Sequence, residues 1–153
     1  GKEKIIFIGG ILMRYGFALT AKALIIKGDK ALILRRSEKE IKSSYFNKNE
    51  PWDLPGGSVR FYENCMEGLL REIDEETSLK VKVIKPLRIF DIIKNHVHMT
   101  IFTYLCTYRS GNVILSDEHE SYYWLTLKEA EEMKLPPWII KDIKSAFNEI
   151  KKQ

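Results

Sequence analysis

The sequence predicts an α+β fold in which a mixed β-sheet lies between helices, an α/β/α sandwich formed by one domain over residues 1–153. Two adjacent apolar, β-rich runs indicate buried strands. A capped helix and a second helix that opens at two prolines indicate the layers that pack on them. The length suffices for one domain with a core and is too short for two. No repeat, low-complexity tract or linker-like stretch indicates an internal boundary.

The two β-rich runs near the start of the chain predict a hairpin. They cover residues 21–27 and 30–36, and Gly28-Asp29 separates them. A two-residue link that contains glycine is typical of a tight hairpin turn. Both runs are apolar on both faces, which predicts central strands. Residues 37–50 are polar and charged, and we predict a loop there, at the edge of a site.

A turn and a capped helix come next. Residues 51–57 read P-W-D-L-P-G-G, which predicts a short strand that ends in a tight turn. Asn64 is a favourable N-cap, and Glu67 three residues later completes a capping box. A helix is therefore predicted over residues 65–77.

The second half of the chain predicts further strands and two more helices. The expected elements are strands over 81–95, 97–108 and 122–125, a turn at Gly111-Asn112, a short helix over 127–133 and a final helix that opens at Pro136-Pro137. The final helix carries an apolar face formed by Ile139, Ile140, Ile143, Phe147 and Ile150.

Composition and charge exclude several classes of protein. The net charge of +4 suits an anionic small substrate as well as nucleic acid, but the lysines are spread along the chain, so we predict no binding of long nucleic acid. Cys65 and Cys106 belong to no Cys/His cluster, which argues against zinc and fits reduced thiols in a cytoplasmic protein. The apolar run at residues 5–13 contains two glycines, is too short to cross a bilayer and is closed by Arg14, so we predict neither a membrane partner nor secretion.

The predicted helix at 65–77 concentrates acidic residues on one face. Each residue turns a helix by about 100°, so Glu75 and Glu76 lie about 60° and 40° on either side of Glu72. Like charges at these spacings repel each other, and the second half of a helix disfavours anions. Mg²⁺, or Mn²⁺ as a substitute, would remove both objections because hard cations prefer oxygen ligands. Arg71 supplies an internal positive charge.

A solvated acidic face is the alternative interpretation of these glutamates, as it is for most runs of charge. The turn that precedes the helix favours a metal site instead. Gly56 and Gly57 allow the backbone to approach the helix closely, and the carbonyl of Gly57 offers one more oxygen ligand.

The segment from Gly57 to Leu79 resembles the Nudix hydrolase family. It reads G-S-V-R-F-Y-E-N-C-M-E-G-L-L-R-E-I-D-E-E-T-S-L, and the family pattern is G-x5-E-x7-R-E-U-x-E-E-x-G-U, with U an aliphatic residue. The positions that match in register are Gly57, Glu63, Arg71, Glu72, Ile73, Glu75, Glu76 and Leu79. Ser78 departs from the pattern, since the family has a glycine there that ends the helix with positive φ.

The resemblance implies a fold, a reaction and a set of roles. The fold is a mixed sheet between helices, and the reaction is Mg²⁺-dependent hydrolysis of a phosphoanhydride in a nucleoside di- or triphosphate derivative, with a MutT-like (d)NTP pyrophosphohydrolase as the default. It implies that Glu72, Glu75, Glu76 and the carbonyl of Gly57 hold the metal, with Arg71 among the catalytic residues. Glu72 is the first candidate for the general base.

A second acidic segment leaves the position of the base open. Asp117, Glu118 and Glu120 precede the predicted strand at 122–125, and Glu118 or Glu120 is a candidate for a further metal ligand or for the base; we retain Glu120 in the metal set. A solvated turn is the alternative for either residue.

The part of the site that would bind the nucleotide is less specified. We expect a small-molecule nucleotide partner, and either a monomer or a homodimer. The candidates for contact with substrate are the phosphate-binding Arg35, Arg36 and Arg60 and the base-stacking Tyr45 and Phe46, with Phe90 and Tyr104 as further aromatics. His96 and His98 are predicted to share one face of a strand.

Rival functions also follow from the sequence. They are a non-catalytic Nudix-fold nucleotide-binding module, an ADP-ribose-type pyrophosphatase, an RNA-binding interaction protein and an isomerase that uses Cys65.

Overall fold

A computed structural model describes residues 4–8, 11–44 and 49–153, in which one mixed sheet carries helices on both faces. The strands are β1 (Lys4–Ile8), β2 (Ile11–Lys27), β3 (Lys30–Arg36), β4 (Trp52–Asp53), β5 (Gly56–Ser58), β6 (Lys80–Lys94), β7 (Val97–Ser110) and β8 (His119–Leu125). The helices are α1 (Glu38–Ser43), α2 (Cys65–Thr77), α3 (Leu127–Glu132) and α4 (Pro137–Lys151). The predicted α+β class is confirmed.

Strand β2 organises the sheet. Along one edge it pairs in parallel with β7, from Gly16 opposite Val97 to Ile26 opposite Thr107, and β6 continues the sheet as the antiparallel neighbour of β7. Along its other edge it pairs with β5 and then with β3, which in turn pairs with β4 and β8. The turn between β4 and β5 is thereby held against the middle of β2.

Alternating residues of β2 pack into two separate hydrophobic cores, one on each face of the sheet. Ala21, Ala23 and Ile25 point to the face covered by α2, where Leu69 and Ile73 pack. The residues between them point to the opposite face, where α3 and α4 supply the apolar layer.

Cys106 is buried on the α2 side of the sheet, and that burial raises the pKa of its thiol to about 12. A thiol with such a pKa stays protonated near neutral pH and is a poor nucleophile. This cysteine is a packing residue.

Several predicted boundaries need correction. The loop predicted over residues 37–50 contains α1, because Ser37 accepts a hydrogen bond from the backbone N–H of Glu40 at 3.2 Å and caps a helical turn. The short strand predicted in 51–57 is two strands, β4 and β5, separated by the turn. His96 lies in the turn between β6 and β7 rather than on a strand beside His98. Tyr45 and Phe46 lie outside the described residues.

Strand β2 begins at Ile11, ahead of the run predicted from residue 21, and the other boundaries agree with prediction to within three residues. The hairpin turn at Gly28-Asp29 joins β2 to β3, and α4 begins at Pro137 with Pro136 as its N-cap. In the described part of the chain, none of the helices combines the length and the apolar character that a bilayer crossing requires.

Candidate functional site

Helix α2 begins and ends where its sequence predicts. The side chain of Asn64 accepts from the N–H of Glu67 at 2.9 Å, and Glu67 accepts from the N–H of Asn64 at 3.2 Å, which is the predicted capping box. Ser78 ends the helix in the left-handed region with φ of 62°, and its N–H donates to the carbonyl of Asp74 at 2.9 Å. The conformation expected for a glycine at this position is therefore present in spite of the serine.

Arg71 joins the acidic residues of the motif. Its guanidinium donates to both carboxylate oxygens of Glu63, at 2.7 and 3.0 Å, and reaches Glu72 at 3.0 Å and Glu75 at 3.2 Å. The hydrogen bonds from Arg71 lower the pKa of Glu63 to about 2. A further bond to the carbonyl of Ser58, at 3.1 Å, ties this network to the end of β5. Arg71 thus offsets the repulsion that the spacing of the glutamates creates.

The turn requires glycine at both positions because its backbone lies very close to neighbouring groups. A Cβ on Gly57 would lie 2.7 Å from the carboxyl carbon of Glu72 and within 2.9 Å of its oxygens. Gly56 has φ of 138°, and a Cβ there would collide with the carbonyl oxygen of Ala21. Only glycine lets the backbone lie between β2 and the carboxylate of Glu72.

Glu76 differs from its neighbours because it is buried. It is 3% exposed, and its carboxylate accepts from the N–H of Gly56 at 2.8 Å. Burial raises the pKa of Glu76 to about 8, against the opposing influence of Lys22 and of the Gly56 hydrogen bond; Asp53 and Glu72 raise it further. A buried carboxylate of this kind is an energetic cost unless a cation is close.

A partly buried chain of polar groups lies next to Glu76. Lys22 donates to Asp53 at 3.1 Å, and the ring Nε2 of His119 lies 2.9 Å from the other carboxylate oxygen of Asp53. The side chain of His119 is 1% exposed. Sequence reasoning missed Lys22, Asp53 and His119; the available signals were the place of Asp53 in the 51–57 segment and the position of His119 directly after Glu118.

The second acidic segment brings Glu118 to the site. Ligand atoms of Glu76, Glu118 and His119 all lie within 4.8 Å of one another. Glu120 points elsewhere: its carboxylate accepts from Arg35 at 2.8 Å in an exposed ion pair. The loop therefore places Glu118, and not Glu120, beside Glu76.

A cleft of about 340 Å³ adjoins the acidic cluster on the α4 face of the sheet. Its walls come from β2, the β4 region, β6, β7 and the start of α4. The lining residues are Lys22, Glu50, Trp52, Asp53, Leu54, Arg88, Phe90, Ile92, Ile101, Thr103 and Trp138. Since Lys22 and Asp53 also neighbour Glu76, the cleft and the carboxylates share a wall.

Other predicted contact residues lie at varied distances from this cleft. Phe90 lines it, whereas Tyr104 packs in the core on the α2 face. Arg36 is 7% exposed, and its guanidinium donates to the backbone carbonyls of Glu50 and Glu40. Arg60 is exposed in the loop before α2. Of the described candidates, only Phe90 contributes to the cleft itself.

The donor set fits a hard divalent cation. Carboxylate oxygens are the ligands such ions prefer, and Glu72 lies against a glycine backbone that has no room for a side chain. Glu76 and Glu118 add carboxylates from a helix and a loop that meet only in the folded chain. A cation there would compensate the buried charge of Glu76.

Comparison with known proteins identifies relatives of the chain. The family model described as the NUDIX domain matches residues 16–145. The chain is 31% identical over 114 residues to an 8-oxo-dGTP diphosphatase of Buchnera aphidicola, a match that covers 74% of this chain and 80% of that protein. It is 35% identical over 85 residues to the asymmetrical bis(5'-nucleosyl)-tetraphosphatase of Mus musculus, covering 52% and 58%. The match to Nudix hydrolase 6 of Arabidopsis thaliana spans 23% of that protein's length, at 37% identity over 65 residues.

Solved structures agree with the fold. A MutT protein from Methanosarcina mazei superposes with a TM-score of 0.71 at 29% identity, covering 90% of this chain and 97% of that chain. A Caenorhabditis elegans Ap4A hydrolase superposes with a TM-score of 0.69 at 16% identity, covering 89% and 99%, a likeness of fold alone.

Proposed function

The chain belongs to the Nudix hydrolase family, and on this basis we propose that it catalyses Mg²⁺-dependent hydrolysis of a phosphoanhydride bond in a nucleoside di- or triphosphate derivative, as a MutT-like (d)NTP pyrophosphohydrolase. The observation that carries the proposal is the position of Glu76. Its buried carboxylate lies between the glycine turn, the neighbouring glutamate of α2 and the wall of the cleft. Without a cation this carboxyl keeps its proton up to about pH 8, and a bound cation would stabilise its charged form.

The residues of α2 have distinct proposed roles. Glu72, Glu75, Glu76 and the carbonyl of Gly57 would hold Mg²⁺, or Mn²⁺ in its place. A bound cation would screen the phosphate charge and lower the pKa of a coordinated water. Glu72 is the proposed general base, and Arg71 orients its carboxylate through the hydrogen bond at 3.0 Å.

In the second acidic segment, Glu118 is the residue proposed to act in the site, as a metal ligand or as an alternative general base. It lies with Glu76 and His119, whereas Glu120 pairs with Arg35 at the surface. We expect Glu118→Gln to lower kcat about 10- to 100-fold and Glu120→Gln to change it less than about twofold. Equal losses in the two variants would contradict this assignment.

The cleft is the proposed site for the nucleoside. Pockets that bind small molecules are mostly apolar with a few polar groups, and 340 Å³ is at the small end of their range, which suits one nucleoside. Trp138 and Phe90 offer aromatic surface to a base. The phosphates would then extend past Lys22 and Asp53 toward the carboxylates of α2.

A dinucleoside polyphosphate is the second candidate substrate. The similarity to the mouse bis(5'-nucleosyl)-tetraphosphatase favours it. The cleft would receive one nucleoside, and the other would lie outside it. The two candidates differ in their products, since one releases pyrophosphate and the other divides a longer phosphate chain.

The test is a substrate panel whose products are identified by mass. The panel contains dNTPs, 8-oxo-dGTP, ADP-ribose and Ap4A, each with Mg²⁺ and with chelator. We expect Mg²⁺-dependent turnover that falls at least about 1,000-fold in Glu76→Gln, while Glu131→Gln, an exposed glutamate of α3, retains wild-type turnover. Nucleotide binding without turnover across the panel would support the non-catalytic module instead.

A further inference from the structure

We propose that Lys22, Asp53 and His119 form a positioning unit, which holds the 54–57 turn and Glu76 in the geometry that cation binding requires. The inference rests on the proposed function, because it concerns the same carboxylates. It extends that function by assigning a positioning role to three residues outside the family motif, which lie on β2, β4 and β8.

Asp53 is the centre of the unit. One carboxylate oxygen accepts from Lys22 at 3.1 Å and from the N–H of Leu54 at 2.9 Å, and the other lies 2.9 Å from Nε2 of His119. Burial alone would raise the pKa of Asp53, but Lys22 and His119 together bring it below its ordinary value. Since an ionised carboxylate can only accept, Nε2 of His119 carries the proton.

Lys22 acts through the backbone of the turn. Its ammonium also donates to the carbonyls of Leu54 and Gly56, each at 3.2 Å. An ammonium has three donors, and these contacts use all of them, so none is left for a substrate phosphate. Lys22 is therefore a positioning residue and not a phosphate ligand.

The turn transmits this restraint to Glu76. Gly56 is held at its carbonyl by Lys22, and its N–H donates to the carboxylate of Glu76 at 2.8 Å. The close approach of Gly57 to Glu72 depends on the same segment of backbone. A displacement of the turn would therefore change the position of the Glu76 carboxylate relative to that of Glu72.

His119 connects the unit to the second acidic segment. It follows Glu118, and a ligand atom of each lies within 4.8 Å of the carboxylate of Glu76. The backbone there is anchored separately, since the N–H of Ser37 donates to the carbonyl of Glu118 at 2.9 Å. A single carboxylate, Asp53, thus links three strands around Glu76.

A double-mutant cycle tests the unit against a purely structural ion pair. The variants are Lys22→Met, the isosteric Asp53→Asn and their combination. The matched control cycle is Lys80→Met with Asp74→Asn, an exposed ion pair of 3.3 Å on the outer side of α2. Each protein is assayed for kcat and KM, for Mn²⁺ binding by electron paramagnetic resonance without nucleotide, and for Tm.

Residues that orient metal ligands typically contribute about 10- to 100-fold to metal affinity or activity. We expect losses of that size in Mn²⁺ affinity and in kcat for each single variant, with KM within about threefold of wild type. Because the two residues act as one unit, the Mn²⁺ affinity and kcat of the double variant should lie within about threefold of those of the more impaired single variant. The control cycle should leave Mn²⁺ affinity and kcat within about twofold.

His119 supplies a conservative rescue. His119→Gln retains a side-chain donor for Asp53 and should keep more Mn²⁺ affinity than His119→Ala, by about fivefold or more. This pair and Asp53→Asn keep the proposal testable if Lys22→Met fails to fold.

Several results would overturn the proposal. A lower Tm with Mn²⁺ affinity and kcat within about twofold of wild type would show a structural ion pair only. Losses that multiply in the double variant would show independent residues. Failure of the proposed function is visible separately, as wild-type protein without turnover on the panel whose Mn²⁺ binding does not respond to Glu76→Gln.

Discussion

The acidic face of α2 and the cleft on the opposite side of the sheet are assembled in different ways. The glutamates and Arg71 come from residues 63–76, within one helix and the loop before it, and they bond mainly to one another. The cleft takes its walls from residues between 22 and 138, on several separate segments of chain. On the proposed function, residues close together in the sequence would supply the phosphate chemistry, and the tertiary fold would shape the nucleoside pocket.

The two regions also differ in their electrostatics. On the α2 side, the charge of Arg71 is shared among Glu63, Glu72 and Glu75, of which Glu75 is half-exposed. The wall that the two regions share holds the buried Glu76 and the partly buried Lys22–Asp53 pair. We therefore expect substitutions in the acidic face and in the shared wall to change kcat, and substitutions in the rest of the cleft to change KM.

After Glu76→Gln, the largest expected effect comes from Gly57→Ala. The added Cβ would lie within 2.9 Å of the Glu72 carboxylate and push it out of position. We expect kcat to fall about 100-fold or more with KM within about threefold. Ser58→Ala removes an adjacent exposed side chain and is the control. A loss confined to KM would contradict the division between the two regions.

Metal-free stability should depend on pH through Glu76. The carboxyl is protonated in both folded and unfolded chains below its ordinary pKa of 4.5, and its contribution to stability is complete there. Between pH 4.5 and about 8 the unfolded chain loses this proton and the folded chain keeps it, so the free energy of unfolding falls with rising pH.

Urea denaturation in chelator measures this fall, which should be on the order of 3 kcal/mol larger in wild type than in Glu76→Gln between about pH 5 and 8.5. Mg²⁺ at about pH 8 should then stabilise wild type and not the variant. Parallel curves for the two proteins would show that Glu76 is not buried in its charged form at high pH.

A smaller effect is expected from Trp138→Leu in the cleft. Loss of the aromatic surface should raise KM about 5- to 20-fold and leave kcat within about threefold. Trp124→Leu is the matched control, since this tryptophan is also partly buried but packs in the core on the α2 face. Steady-state kinetics with the best substrate of the panel distinguishes the two.

The smallest effect is expected from Ser78→Gly at the end of α2. Relief of the left-handed conformation, with φ of 62°, should raise the free energy of unfolding by about 0.5–1 kcal/mol, with kcat within about twofold. Asn95→Gly, at φ of 53°, should gain less because asparagine tolerates this region. A change in kcat above about fivefold would mean that the serine alters the position of Glu76.

Sequence alone determined the parts of this protein that depend on contacts between near neighbours. The start and end of α2, its capping box, the shared face of its glutamates and the positive φ of Ser78 all follow from helix geometry and hydrogen bonds within a few residues. For the same reason the family motif, with Arg71 among its carboxylates, is recognisable in the amino-acid sequence.

Only the tertiary structure decided which groups from distant segments meet. It placed Glu118 rather than Glu120 beside Glu76, enclosed Arg36 among backbone carbonyls, and joined Lys22, Asp53 and His119 into one chain of hydrogen bonds. Such contacts depend on strand register, where a shift of one residue turns a side chain to the opposite face of the sheet. Hydrophobic alternation within a strand indicates which face is buried, but it does not identify the neighbouring strand, so contacts between distant segments follow only from the assembled sheet.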